Sequence, residues 1–95
     1  MRFTWHPGKS AENLRLRDFA FATLIFDGPT LERQDTRLDY GERRTITVGL
    51  AQGIALTVVY TDRTDATGAG TRRLISARRS NRREREAYVR ALEGP

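Results

Sequence analysis

Residues 72–88, RRLISARRSNRREREAY, hold seven arginines among seventeen positions, with Ser76 and Glu84 set between them. A guanidinium is planar and stays protonated, and its fork of N–H donors matches two oxygens of a phosphate. Such a cluster grips a phosphate and offsets the charge that builds on it under attack, but it is a poor proton acceptor. Proton movement needs another group, and the candidates are His6, Glu84, Tyr60, Tyr88 and the acidic residues of 35–42. Cleavage of RNA by its own 2′-hydroxyl is within reach of such a set, because the nucleophile is tethered beside the phosphorus and no metal is required to deliver it.

Charge is unevenly spread. Residues 1–70 balance nine basic against nine acidic side chains, whereas residues 71–95 carry eight basic and three acidic ones, so the whole net charge of +5 sits in the last 25 residues. A field of one sign over one face favours a polyanionic partner. With one histidine and no cysteine there is neither a disulfide framework nor a credible metal site, and no cofactor is expected. No apolar run approaches the ~20 residues of a membrane span. These features read as a cytoplasmic, soluble protein.

Each candidate also has a plainer use. The arginines could bind a polyanion or an acidic protein without catalysis. Glu84 stands three residues after Asn81, the capping-box spacing, and Tyr88 falls on the apolar stripe of the same helix. His6 precedes Pro7 at a helix-capping position. The glycines of ATGAG lack the Lys-Ser/Thr of a phosphate loop and read as a flexible turn.

The elements that must position these groups are legible in outline. MRFTW reads as a short strand, and residues 7–17 as a helix opened by Pro7 with Ala11 and Leu14 inward. FAFATLIFD (19–27), nearly all apolar, reads as a second helix stopped by Gly28-Pro29 and as the hydrophobic centre. A strand near Leu31 leads into a polar loop. RRTITVGL and IALTVVYTD then alternate with period two around Gln52-Gly53, a hairpin, and RRLISARR follows as a further strand before the C-terminal helix capped by Ser80 or Asn81. The fold class is α+β: a short N-terminal strand, two helices, an antiparallel sheet of three or four further strands and a C-terminal helix, in one domain over residues 1–95. The domain buries about 60% of the surface its unfolded chain exposes.

Strict alternation along RRLISARR puts Arg72, Leu74, Ser76 and Arg78 on one face and Arg73, Ile75, Ala77 and Arg79 on the other, with Ile75 and Ala77 suited to the core. Arg73 then meets Ser76 and Arg78 only through a bulge or twist. Beyond the strand, the start of the helix adds Arg82 and Arg83 beside unpaired backbone N–H groups.

FTWHPGKSAENLRLRDFAF, GERRTITVGL, TVVYTDR and RLISARRSNRREREAY, in that order over residues 3–88, resemble the BrnT toxins of bacterial type II toxin–antitoxin pairs. Those toxins read F-x-W-D-P-x-K-x-x-x-N, G-E-x-R, T-x-R and R-x-I-S-A-R before a basic helix. The resemblance implies a RelE-like ribonuclease that cuts RNA without a metal and inhibits translation and growth. It also implies neutralisation by a BrnA-like ribbon-helix-helix antitoxin, contact with operator DNA only through that antitoxin, and a dimer of toxin–antitoxin heterodimers. Carried over by position, Arg44, Arg63, Ser76, Arg78 and Glu84 form the catalytic set, with Glu84 moving the proton. Arg73, Arg79, Arg82, Arg83 and Tyr88 are expected to bind RNA. Departures from the pattern are His6 in place of Asp, and Leu16, Arg17 and Asp18 where the family reads Lys-His-Gly. The linker before RRLISAR is also longer than in the pattern. The competing readings are a noncatalytic nucleic-acid-binding domain and an inactive toxin retained as an antitoxin-binding module.

Overall fold

The computed structural model describes residues 1–6, 19–37 and 41–94. The helix expected over residues 7–17, and the departures at Leu16, Arg17 and Asp18, lie outside the described residues. Strand β1 (Arg2–Trp5) is followed by a single α-turn, α1 (Phe19–Ala22), which tightens into a 3₁₀ helix (Thr23–Asp27). Then come β2 (Leu31–Gln34), β3 (Thr45–Ala51), β4 (Ile54–Thr64), β5 (Gly70–Arg79) and the C-terminal helix α2 (Arg82–Glu93). One five-stranded sheet runs β1-β5-β4-β3-β2. The sheet is mixed, not wholly antiparallel, because β1 lies parallel to β5. Parallel neighbours cannot be joined by a hairpin, so this pairing depends on the whole chain between them.

The core lies on one face of the sheet. Phe19, Ala22 and Ile25 recur every three residues, so the 3₁₀ period of three keeps the stripe on the sheet from Ala22 onward. Beneath it lie Ala51, Leu56, Val58, Tyr60, Leu74 and Ala77. Two aromatic contacts lock β1 to this layer: Trp5 stacks on Phe19 at 6.0 Å and Phe3 on Phe26 at 5.4 Å between ring centres. Burying this aromatic area supplies much of the driving force in so small a protein. The close approach of helix and sheet is possible because β3 carries Gly49, where an added Cβ would stand 2.8 Å from Ile25 Cβ.

Two hairpins carry the chain between the long strands. Gln52 and Gly53 both have positive φ (49° and 80°), the left-handed pair that a two-residue turn needs to match the twist of β3 and β4. The glycine-rich linker is an ordered turn: Asp65 Oδ1 accepts from Thr67 N, Thr67 Oγ1 and Ala69 N, while Asp65 N donates to Ala69 O. The two strands stay paired out to the ends of this turn, as far as Thr64 and Gly70.

The helix α2 crosses the opposite face of the sheet. Its start is the expected capping box, with Asn81 Oδ1 accepting from Glu84 N and Glu84 Oε1 accepting from Asn81 N. Tyr88 is buried beneath it and donates its hydroxyl to Pro29 O at 2.7 Å, tying the helix to the start of β2.

Gly49→Ala is expected to cost ~1–3 kcal/mol, since the new methyl must displace Ile25 and the helix above it. Gly70→Ala, where a Cβ meets nothing within 4 Å, should stay within ~0.5 kcal/mol of the parent. Urea midpoints of the two variants check the pair.

Candidate functional site

Between Val59 and Tyr60 the register of β4 and β5 slips: Val59 faces Ser76 and Tyr60 faces Leu74, so Ile75 is an extra residue on β5. A bulge of this kind restarts the alternation on the other foot. Leu74 and Ala77, three apart, therefore both reach the core, while Arg73, Ser76 and Arg78 all project from the far face. This corrects two expectations. Ile75 is half-buried at the rim of the far face and Leu74 takes the core position, and Arg72 parts company with Ser76 and Arg78. Arg72 turns to the core side, its guanidinium 4.0 Å from the Tyr60 ring centre and 4.9 Å from that of Phe26, with Nε and Nη2 donating to the two oxygens of Asp62. It is a packing arginine, and those hydrogen bonds hold its pKa above the ordinary value.

Paired positions stack into rows on the far face. One row runs Arg33, Ile46, Val59, Ser76, and the row on its α2 side runs Leu31, Val48, Thr57, Arg78. On the other side Arg44, next to Thr45, stands level with Thr61 and Arg73, and Arg63 lies two residues further along β4. Rows are roughly 7 Å apart and neighbouring strands about 4.8 Å, so these side chains form one continuous patch.

The patch contains two depressions. Arg44, Arg63 and Arg73 line the first, of about 210 Å³, together with His6, Glu42, Leu74 and Ile75. Glu42 is its clamp: Oε2 accepts from Arg44 Nε at 3.1 Å and Oε1 from Arg63 Nη2 at 2.8 Å. Those hydrogen bonds, from Arg63 first and then Arg44, hold the Glu42 carboxyl below its ordinary pKa. Three guanidinium charges against one carboxylate leave the depression positive. Arg73 has no ion-pair partner among the described residues.

The second depression, of about 190 Å³, is lined by Ser76 and Arg78 with Arg33, Arg37, Thr57 and Val59. Here Glu84 is the clamp, its two oxygens accepting from Arg78 Nη1 and Nη2 at 2.7 and 2.8 Å. Burial pushes the Glu84 carboxyl up, but hydrogen bonds from Arg78, the Asn81 N–H and Thr57 outweigh it and leave the pKa lowered. Glu84 is thus an ionised carboxylate spoken for by Arg78 and by the helix cap. On the other side Asp35, its side chain 1% exposed, holds Arg37 through Nε–Oδ1 at 2.9 Å and Nη2–Oδ2 at 2.8 Å.

The remaining expected contacts fall elsewhere. Arg79 shares the core side with Ala77 at the end of β5, exposed to solvent. Arg82 is 85% exposed and pairs with Glu86 one turn along α2, and Arg83 is exposed on the same helix. Tyr88 is buried against Pro29. Of the possible proton carriers, Tyr60 lies in the core donating to Glu32 Oε1, its pKa raised to about 12 by burial and then by that carboxylate. His6 alone among the non-carboxylate candidates lines the arginine depressions. Sequence reading passed over Arg33, Arg37 and the clamping roles of Glu42 and Asp35. Arg44 was legible from the sequence, but nothing local ties Arg33 to Ser76 across two intervening strands.

Over residues 5–84 the chain matches the family model for the ribonuclease toxin, BrnT, of type II toxin–antitoxin systems. No curated protein matches the sequence.

Glu84→Gln removes a carboxylate whose folded pKa is depressed. The stability it contributes is present above the ordinary glutamate value of 4.5 and is lost as pH falls through the lowered folded value. Losing its ion pair with Arg78, the variant is expected to be less stable than the parent by up to about 1 kcal/mol at neutral pH, with the difference closing in strong acid. Thermal melts from neutral pH to pH ~3 measure it.

Proposed function

The chain belongs to the BrnT family of ribonuclease toxins of type II toxin–antitoxin systems, and from that premise we propose that its arginine patch cleaves RNA endonucleolytically without a metal ion. The observation that carries this reading is the gathering of Arg44, Arg63 and Arg73 in one depression and of Ser76 and Arg78 in the adjoining one, on one sheet face. Family membership implies an antitoxin partner. The finer reading extends to a RelE-like toxin acting as one domain over residues 1–95 in the cytoplasm. It inhibits translation, is silenced by a BrnA-like ribbon-helix-helix antitoxin in a dimer of heterodimers, and meets operator DNA through that antitoxin.

In the proposed reaction the ribose 2′-oxygen attacks the adjacent phosphorus. A 2′,3′-cyclic phosphate forms, and the bond to the 5′-oxygen of the next nucleotide breaks. Tethering supplies the approach, so the protein's task is to hold the phosphate and stabilise its added charge. Arg73 binds from one side and Arg78 from the other, one row to either side of the Ser76 hydroxyl, which donates to a phosphate oxygen, while Arg63, roughly 20 Å along the sheet from Arg78, meets a neighbouring phosphate of the RNA. Glu84 and Glu42 fix the guanidinium planes before substrate arrives. Glu84 acts as a positioning residue in this scheme, because a carboxylate with a lowered pKa that already accepts from an arginine and a cap N–H is a weak base near neutrality. The proton of the 2′-hydroxyl goes to the His6 imidazole, and the departing 5′-oxygen takes its proton from solvent. Among the described residues no helix is long and apolar enough to cross a membrane.

Antitoxin-free protein in EDTA is expected to cut single-stranded RNA to cyclic-phosphate ends, and to leave the 2′-deoxy analogue intact. Arg78→Ala should lower the single-turnover rate roughly 100-fold or more while affinity falls much less, the mark of a group that stabilises charge in the transition state. Intact RNA after prolonged incubation with folded protein would favour the noncatalytic reading.

His6→Gln should lower the rate ~100-fold at neutral pH, as loss of a general base does. An unchanged rate would remove His6 from the mechanism and leave the arginines in place.

A further inference from the structure

We propose that the cavity between α2 and the β2–β3 edge is a nucleobase subsite, which takes the base of the nucleotide whose phosphate lies against Ser76 and Arg78; for that phosphate's place it rests on the ribonuclease reading. The cavity is about 190 Å³, lined by Leu31, Ile46 and Val48 from the sheet and Ala87 from the helix, together with Glu32, Arg33 and Glu84. It is the direct continuation of the phosphate patch. Ile46 and Arg33 extend the Ser76–Val59 row, and Leu31 and Val48 extend the Arg78–Thr57 row. Ile46 stands two strand spacings from Ser76, about 10 Å, which is the reach from a phosphate across its ribose to the base.

The lining suits a base in two respects. An apolar floor accepts the face of a base without demanding hydrogen bonds, whereas a few polar groups at the rim read its edge. Arg33 is exposed and has no ion-pair or side-chain hydrogen-bond partner among the described residues, so its donors are available to an acceptor edge such as guanine O6 and N7. The cavity is also kept open by the fold. Tyr88 pins α2 to Pro29, and the helix presents the small Ala87 to the space where a larger side chain would fill it. Glu84 belongs to both sites, lining the cavity while its oxygens hold Arg78. Seating a base there brings its phosphate up to the guanidinium that Glu84 has oriented.

The test uses the full chain with labelled methyl groups, titrated with each of the four ribonucleoside 3′-monophosphates and with ribose phosphate as a base-free probe. Methyl signals of Leu31, Ile46, Val48 and Ala87 should move with the nucleotides and stay still with ribose phosphate. Ala87→Leu should suppress those shifts while the amides of Ser76 and Arg78 still respond. Arg33→Ala, an exposed change that leaves the fold alone, should weaken the best nucleotide roughly tenfold and narrow the spread among the four bases. Pocket methyls that never move while the Ser76 and Arg78 amides do, or that move equally with ribose phosphate, overturn the subsite. Because binding is read without cleavage, a protein that shifts these methyls but leaves RNA intact would retire the nuclease reading alone.

Discussion

Strand β5 carries one residue more than β4 can match, and that residue, Ile75, is what allows a single strand to serve two masters. Without it Leu74 and Ala77 would point in opposite directions, and either the core would lose a side chain or an arginine would have to enter it. With it, both apolar residues bury completely and Arg73, Ser76 and Arg78 emerge together on the other side. The bulge is therefore a requirement of packing and of the site at once. Burying an unpaired guanidinium costs several kcal/mol, so hydrophobic burial and charge exclusion both oppose the unbulged register.

Around that strand the arginines are sorted by carboxylates. Arg72 is claimed by Asp62 and two aromatic faces and becomes part of the core layer. Arg44 and Arg63 share Glu42, Arg78 is held by Glu84, and Arg37 by the buried Asp35. Exposed ion pairs contribute little to stability, but these restrict the rotamers of long side chains before any ligand arrives. Orientation established in advance is worth more to a charge-stabilising site than affinity alone, because the groups need not reorganise as the phosphate's charge grows. The excess of arginine over carboxylate keeps the patch attractive to a polyanion.

The helix α2 closes the arrangement at one end. Its first turn delivers Glu84 to Arg78, its second delivers Tyr88 to Pro29, and the same element roofs the apolar cavity beside the patch. One capping box thus serves the helix and the site through the same carboxylate. The exposed arginines of the helix, Arg82 and Arg83, contribute to the field over the surface and stand outside the depressions. Dense positive charge in the sequence and the location of the patch overlap only in part, since the segment with most arginines divides them among core packing, the far-face patch and open solvent.

What depends on near neighbours could be read from the chain itself. The Gln52-Gly53 turn, the alternating strands on either side of it, the Asn81–Glu84 cap and the one-sided charge of the last 25 residues are all set by residues a few positions apart. The order of motifs was enough to identify the family. The parallel seat of β1, the bulge at Ile75, the turn of Arg72 into the core and the convergence of Arg33 and Arg44 on groups of β4 and β5 were decided only in three dimensions. Each of these rests on a partner at least ten residues away or on a choice between two registers. Local propensity assigns no energy to such choices; they are settled when the apolar side chains close over one face of the sheet.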